Sequence, residues 1–126
     1  MIGLETSVSV LSATLRGEPT GSPLAFRGDA VATAKRDLEA GDVLDGEGGF
    51  TVWAKAIPAA KSLGLRALPI GLAHNVKLKR AVARDTVVSF DDVDLERDLD
   101  VVALRREMER STLSRQSVIA RSMLGP

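Results

Sequence analysis

The sequence predicts a mainly β fold made of two related halves, with a helix at each end. Residues 34–44 and 78–88 share one pattern: a basic pair, an apolar residue, a turn and an apolar pair. Between and after these segments, apolar and polar residues alternate as they do on half-buried strands. Both ends of the chain instead space apolar residues three or four apart, which is typical of one helix face. We therefore expect a pseudo-twofold module of short strands and one-turn helices, flanked by N- and C-terminal helices.

The two copies of the repeat match residue by residue in their turns. Leu38 corresponds to Val82, and Gly41 corresponds to Asp85. Glycine adopts a positive φ freely, and Asp tolerates it better than most residues do. The two turns therefore have the same predicted geometry despite their different residues.

Composition restricts the class of protein. The chain has 126 residues, 44% of them hydrophobic but only 3% aromatic, so the predicted core is aliphatic. With 17 basic and 17 acidic residues the net charge is zero, which argues against nucleic-acid and membrane-surface partners. No apolar run reaches the roughly 20 residues of a membrane span, and the N-terminus lacks the features of a secretory signal. With no cysteine present, a cytoplasmic protein is expected.

Three segments are predicted along the chain. Residues 1–18 form a helical arm that ends at Gly17, since glycine stops helices and Pro19 prevents continuation. This arm either packs on the module or belongs to a larger upstream domain. Residues 29–95 form the β domain, and residues 96–126 form a charged helix and tail.

Within the β domain, we expect strands at residues 30–35, 43–44, 50–57, 76–80 and 86–90. A helical turn follows Pro58, and Phe26 is the expected core anchor of the preceding loop. A turn is predicted at His74–Asn75, because Asn accepts a left-handed conformation. In the last segment, Leu104 and Met108 form a narrow apolar stripe on an exposed helix. Beyond Ser111 the sequence predicts a weak helix or a frayed tail.

Two features of the sequence are compatible with ligand binding. The glycines of residues 46–49 resemble a phosphate-binding loop, but a strand pattern follows them instead of a helix, which favours a structural turn. His74 is the only histidine. A general base needs a partner to orient it, so a hydrogen-bonded turn residue is the favoured interpretation. No metal site is predicted.

The basic residues of the repeat are the best remaining candidates. If the halves pair about a pseudo-twofold axis, the two basic pairs approach each other and together meet an anionic group held elsewhere. A solvated strand face is the favoured alternative. The candidate substrate or partner contacts are Lys35, Arg36, His74, Lys79 and Arg80. No catalytic residue and no cofactor-binding residue is assigned on this chain.

Residues 34–44 and 78–88 together resemble the SAF module, the type III antifreeze-like β-clip. Residues 45–52 and 68–80 resemble more specifically the C-terminal SAF region of homoserine dehydrogenase-like NAD(P)-dependent oxidoreductases. The resemblance extends to about Glu109. Asn75 and Asp85 depart from it, because they stand where glycine is expected.

The resemblance implies a non-catalytic accessory module that serves packing, oligomer contact and closure of a neighbouring active site. NAD(P) belongs to the parent family, since no dinucleotide fingerprint occurs in this chain. The arm of residues 1–18 resembles the end of the family's central domain, so a protein partner or a homo-oligomer is expected. Two alternatives remain: the small SAF subunit of an altronate dehydratase-like sugar-acid lyase, and a stand-alone binding or assembly module.

Overall fold

The computed structural model describes residues 3–21, 25–95 and 100–123, without the side chains of residues 4 and 115–123. Helix α1 spans Leu4–Leu11 and continues as a π-helix over Ser12–Arg16. It ends at Gly17, whose φ of 63° is left-handed. The predicted helix and its stop are confirmed, while the first two residues of the predicted arm lie outside the described residues.

The apolar row of α1 faces solvent. Every described side chain from Glu5 to Leu11 is exposed, and Leu15 in the π-helix is 79% exposed. Of the two alternatives for this arm, packing of the apolar row on the module is therefore not what the structure shows.

The first sheet pairs strands β1 (Gly28–Ala34) and β3 (Val52–Pro58). They run antiparallel, with Gly28 opposite Pro58 and Ala34 opposite Val52. Val52 is buried and Trp53 is exposed, as their predicted alternation requires. Helix α2 (Ala59–Leu65) follows directly after Pro58 and confirms the expected helical turn.

The second sheet consists of β2 (Val43–Asp45), β4 (His74–Leu78) and β5 (Val93–Asp94). It is also antiparallel, with the strand order β2-β4-β5. A 3₁₀ turn over Ile70–Leu72 precedes β4. Together the two sheets and the flanking helices make the chain mixed α/β instead of mainly β, because the C-terminal helix alone has 24 residues.

The two copies of the repeat cross-link each other through backbone hydrogen bonds. Leu38 and Val82 exchange both N–H···O bonds at 2.9 Å. Ala34 donates to the carbonyl of Thr86 and accepts from Asp85, each at 2.9 Å. Its counterpart Leu78 makes the same two bonds with residues 42 and 41, at 2.8 and 2.9 Å. Residues that match in sequence therefore occupy equivalent places in the backbone.

The matched turns also share their dihedral geometry. Gly41 has a φ of 97° and Asp85 a φ of 62°, so both lie in the left-handed region. The prediction that the two turns share one backbone geometry is confirmed.

The main core lies between the halves and is aliphatic, as the composition predicts. It consists of Ala32, Ala34, Leu38, Leu44, Val52, Leu68, Ala73, Val76, Leu78, Val82, Val88 and Val93. Phe26 does not anchor this core; it is partly exposed and lies against Arg105 instead.

Two predictions about local structure are wrong. Residues 86–90 form isolated bridges to Thr33 and Ala67 and no continuous strand, because successive residues pair with different parts of the chain. His74–Asn75 is no turn but the start of β4. Asn75 is left-handed, at a φ of 55°, because a bulge opposite Leu44 and Asp45 inserts it into the ladder.

Helix α3 spans Asp100–Met123. The two residues of the predicted stripe differ, since Leu104 is 67% exposed and Met108 is half-buried. Val102 is buried instead, and Arg105 is nearly so. The helix continues past Ser111 to Met123, whereas Leu124 lies outside the described residues. Among the described helices, none is both long and apolar enough to cross a membrane.

Candidate functional site

The first basic pair follows β1 and is bound within its own half. Lys35 donates from Nζ to the carbonyl of Gly49 at 2.5 Å. Arg36 lies 3.4 Å from a carboxylate oxygen of Asp42 and also donates to the carbonyl of Asp37 at 3.1 Å. Lys35 therefore contacts the glycine loop, whereas the partners of Arg36 lie in the preceding turn.

The second basic pair follows β4 and contacts the acidic segment before α3. Arg80 donates from Nε to Asp92, and Lys79 lies 3.6 Å from Asp94. Each basic pair therefore meets acceptors of its own half, and the structure shows no contact between the pairs among the described residues.

Asp92 closes the turn that begins at Ser89. Its carboxylate accepts hydrogen bonds from the backbone N–H and the hydroxyl of Ser89, both at 2.7 Å. Burial alone would raise the pKa of Asp92, but the bonds from Ser89 and Arg80 outweigh it and hold the pKa below its usual value. Arg80 is thus tied to a structural carboxylate.

The glycine loop encloses a carboxylate of the chain itself. Asp45 accepts from the backbone N–H of Phe50 at 2.5 Å and of Thr51 at 3.0 Å, and from the Thr51 hydroxyl. A Cβ at Gly49 would lie 2.1 Å from the Asp45 carboxyl carbon, so only glycine fits there. These donors are occupied, which supports the structural interpretation over phosphate binding.

The same donors set the acidity of Asp45. Burial opposes ionisation, yet the hydrogen bonds from Thr51 and Phe50 lower the pKa from 3.8 to about 2. The loop is therefore held closed by a carboxylate that stays ionised across the physiological range.

His74 is exposed and lies next to the glycine loop. Its Nδ1 is 3.2 Å from the carbonyl oxygen of Asp45. It also lines an open cavity of about 390 Å³, together with Leu72, Asn75 and Asp94. The structure brings His74 to the loop that Lys35 also contacts, while Lys79 lines a different cavity.

Sequence reasoning missed an ionic cluster that holds α3. Arg105 binds both carboxylate oxygens of Asp29, at 3.2 and 2.5 Å, and donates to Glu109 at 2.7 Å. The side chains of these three residues are 7–13% exposed. Ser62 of α2 donates to Asp29 as well. The spacing of Arg105 and Glu109 is visible in the sequence, but nothing there points to Asp29.

The charge of Arg105 is stabilised by this cluster. Burial alone would lower the pKa of the guanidinium, but its bonds to Asp29 and Glu109 outweigh that effect and raise the pKa. Phe26 adds a ring contact, 5.0 Å from the guanidinium carbon to the ring centroid.

The neighbouring Arg106 lines a second cavity, of about 300 Å³. Its guanidinium carbon lies 3.8 Å from the centroid of the Phe90 ring, and Nη1 donates to Glu109 at 2.9 Å. Arg66 and Lys79 line the same cavity. The apolar wall of the cavity is formed by Val93, Leu95 and Val102, and among the described residues Asp91 is the one carboxylate in its lining.

No group of three or more His, Asp or Glu side chains suited to a metal occurs among the described residues. Comparison of the sequence with protein family models and with curated proteins gives no match.

Proposed function

We propose that this chain is a non-catalytic accessory module of the SAF β-clip type. It acts as the C-terminal module of a homoserine dehydrogenase-like NAD(P)-dependent oxidoreductase in the cytoplasm, where it serves packing, oligomer contact and closure of the active site. The catalytic groups and the NAD(P) site belong to the partner domain. The observation that carries this proposal is the solvent-exposed apolar row of α1.

The exposure of α1 is unfavourable for an isolated module. Val8, Leu11 and Leu15 are all more than half exposed, although they lie on one face of a short helix. Helices shorter than about 12–15 residues are marginal in water and gain their stability from packing. Such a face is stable when a second protein surface covers it, as the central domain of an oxidoreductase would.

The backbone cross-links support the β-clip assignment. Leu38 pairs with its own sequence counterpart Val82, and the bonds of Ala34 reappear at Leu78. This reciprocity is the arrangement expected for two halves related by a pseudo-twofold axis. It agrees with the SAF resemblance of the repeated segments.

The candidate contacts have a defined place in this proposal. Lys35 contacts the glycine loop at Gly49. Arg36 pairs with Asp42 in the preceding turn, and Arg80 pairs with Asp92. Among the described residues, the ion pair of Lys79 is a 3.6 Å contact with the exposed Asp94, so of the four basic candidate contacts Lys79 is the most available to a partner's site.

Calorimetric titration with NADPH tests whether the chain works as an accessory module. We expect no heat beyond dilution, since the described cavities are small and the glycine loop is occupied by Asp45. Saturable binding would contradict the proposal.

Sedimentation equilibrium tests the docking face. We expect the chain to self-associate as its concentration rises, and the double variant Val8→Glu/Leu11→Glu to remain monomeric. The matched control is Leu104→Glu, which changes an exposed leucine on α3 and should still associate. A wild-type chain that stays monomeric up to millimolar concentration would refute the docking role.

A second candidate function has one observation in its favour. His74 and Asn75 line the open cavity of about 390 Å³, as expected for a sugar-acid site in the small subunit of an altronate dehydratase-like lyase. Mixing the chain with a large lyase subunit should then restore dehydratase activity, and His74→Ala should abolish it. An inactive mixture would remove this candidate.

A further inference from the structure

The cavity beside α3 combines a cationic rim with an apolar wall. Arg66, Lys79 and Arg106 come from three different parts of the chain and all line it, and Asp91 is the single carboxylate that lines it within residues 3–21, 25–95 and 100–123. Its volume of about 300 Å³ lies at the lower end of the range for small-molecule sites. The cavity therefore suits a ligand much smaller than a dinucleotide.

Each cationic side chain at the rim has N–H donors that are not used in its contacts with the described residues. Arg66 reaches Asp91 through Nη1 at 3.2 Å, and Lys79 lies 3.6 Å from Asp94. Arg106 uses Nη1 for Glu109, and its Nε and Nη2 have no acceptor among the described residues. A guanidinium carries five N–H donors and an ammonium three. An added anion can thus be bound without breaking these contacts.

The guanidinium of Arg106 is already oriented by its neighbours before an anion binds. The Phe90 ring supports the face of its guanidinium at 3.8 Å, and Glu109 fixes one edge. A planar guanidinium fixed in this way favours the two-point recognition of a carboxylate. Because its orientation is set before binding, little conformational entropy is lost when the ligand arrives.

We propose that this cavity binds a small organic carboxylate with an apolar body. The carboxylate lies between Arg106, Arg66 and Lys79, and the apolar body packs against Val93, Leu95 and Val102. The negative charge of the ligand is not enough for tight binding, because the rim is open to solvent and salt screens exposed charges. The apolar contact is needed as well. The site does not depend on the docking of α1, so either proposal can fail without the other.

Titrations followed by ¹H–¹⁵N NMR test the site on the whole chain, with benzoate, benzamide and acetate as probes. Benzoate should give saturable shifts at Lys79, Phe90 and Arg106. Benzamide, which lacks the charge, and acetate, which lacks the apolar body, should each bind at least about tenfold more weakly. Equal binding of benzoate and benzamide, or no saturable shift with benzoate, would overturn the proposal.

Variants separate the site from the general charge of α3. Arg106→Gln should weaken benzoate binding at least about tenfold, whereas Arg110→Gln, on the exposed side of the same helix, should leave it unchanged. Lys79→Gln gives a second test if Arg106→Gln disturbs folding, because Lys79 has only a weak surface contact. It should weaken binding by roughly threefold, in line with one exposed ion pair. Unchanged benzoate affinity in both variants would refute the site.

Discussion

The burial of the two terminal helices is the opposite of what their hydropathy predicts. Helix α1 is apolar on one face, yet every described side chain from Glu5 to Leu11 is exposed. Helix α3 is rich in charge, yet Arg105 and Glu109 are only 12% and 13% exposed. The charged helix is thus the one that packs on the module.

The difference lies in what each helix finds as a partner. Arg105 meets the carboxylates of Asp29 and Glu109, and such compensation makes burial of a guanidinium tolerable. The apolar row of α1 meets no equivalent surface among the described residues of the module, so its side chains stay exposed. The spacing of apolar residues therefore predicts which helix face can pack against another surface. It does not predict whether that surface belongs to the same chain or to another molecule.

The largest effect is expected from breaking the ionic cluster of α3. Asp29→Ala leaves Arg105 with one carboxylate at a nearly buried site, so the free energy of unfolding should fall by about 3 kcal/mol. Urea denaturation measures this change. The matched control is Asp94→Ala, which removes an exposed pair and should cost below about 1 kcal/mol. Equal effects of the two variants would show that the cluster does not hold α3.

A smaller effect is expected at the glycine loop, where a carboxylate again requires its donors. Asp45→Asn weakens the bonds from Phe50 and Thr51 and should cost about 1–2 kcal/mol in urea denaturation. Asp42→Asn, at an exposed pair, is the control.

The loop also makes stability depend on pH. The pKa of Asp45 is lowered from 3.8 to about 2 on folding, so its contribution is fully present above about pH 4 and is lost as the pH falls towards 2. Asp45→Asn should flatten the stability profile in this window. A profile identical to that of the wild type would show that Asp45 is not the titrating group.

The smallest effect on stability is expected in α1. Val8→Ser and Leu11→Ser change exposed side chains, so each should alter the free energy of unfolding of the dilute chain by no more than about 0.5 kcal/mol. The fully buried Leu44→Ala should cost about 3 kcal/mol in the same denaturation experiment. A loss in α1 comparable to that of Leu44→Ala would mean that α1 belongs to the core.

Local chemistry made much of the fold predictable. The alternation around Val52 and Val76 indicated strands, and the matched turns at Gly41 and Asp85 indicated two related halves. Strands β1 to β4 and the two terminal helices follow from such short-range signals, whereas β5 at Val93–Asp94 was not predicted and residues 86–90 form no strand. Asn75 misled the interpretation because a left-handed residue occurs in bulges as well as in turns.

The long-range contacts could not be predicted from the sequence. Nothing near Asp29 shows that its partner is Arg105, because the pairing depends on where α3 crosses the module. Among the candidate contacts, the ion pair of Arg36 with Asp42 is local in the sequence, whereas the bond from Lys35 to Gly49 needs the closed loop. The cavity beside α3 likewise depends on tertiary packing that brings Arg66 and Arg106 together.

Amide hydrogen exchange of the chain, followed by mass spectrometry at low and high concentration, tests the contrast between the helices most directly. In dilute solution we expect residues 4–11 to exchange almost as fast as an unfolded peptide, and the segment around Val102–Arg106 to be protected like the sheets. At high concentration, protection should appear in α1 as its apolar face becomes covered. Strong protection of α1 in the dilute chain, or rapid exchange around Arg105, would contradict the account.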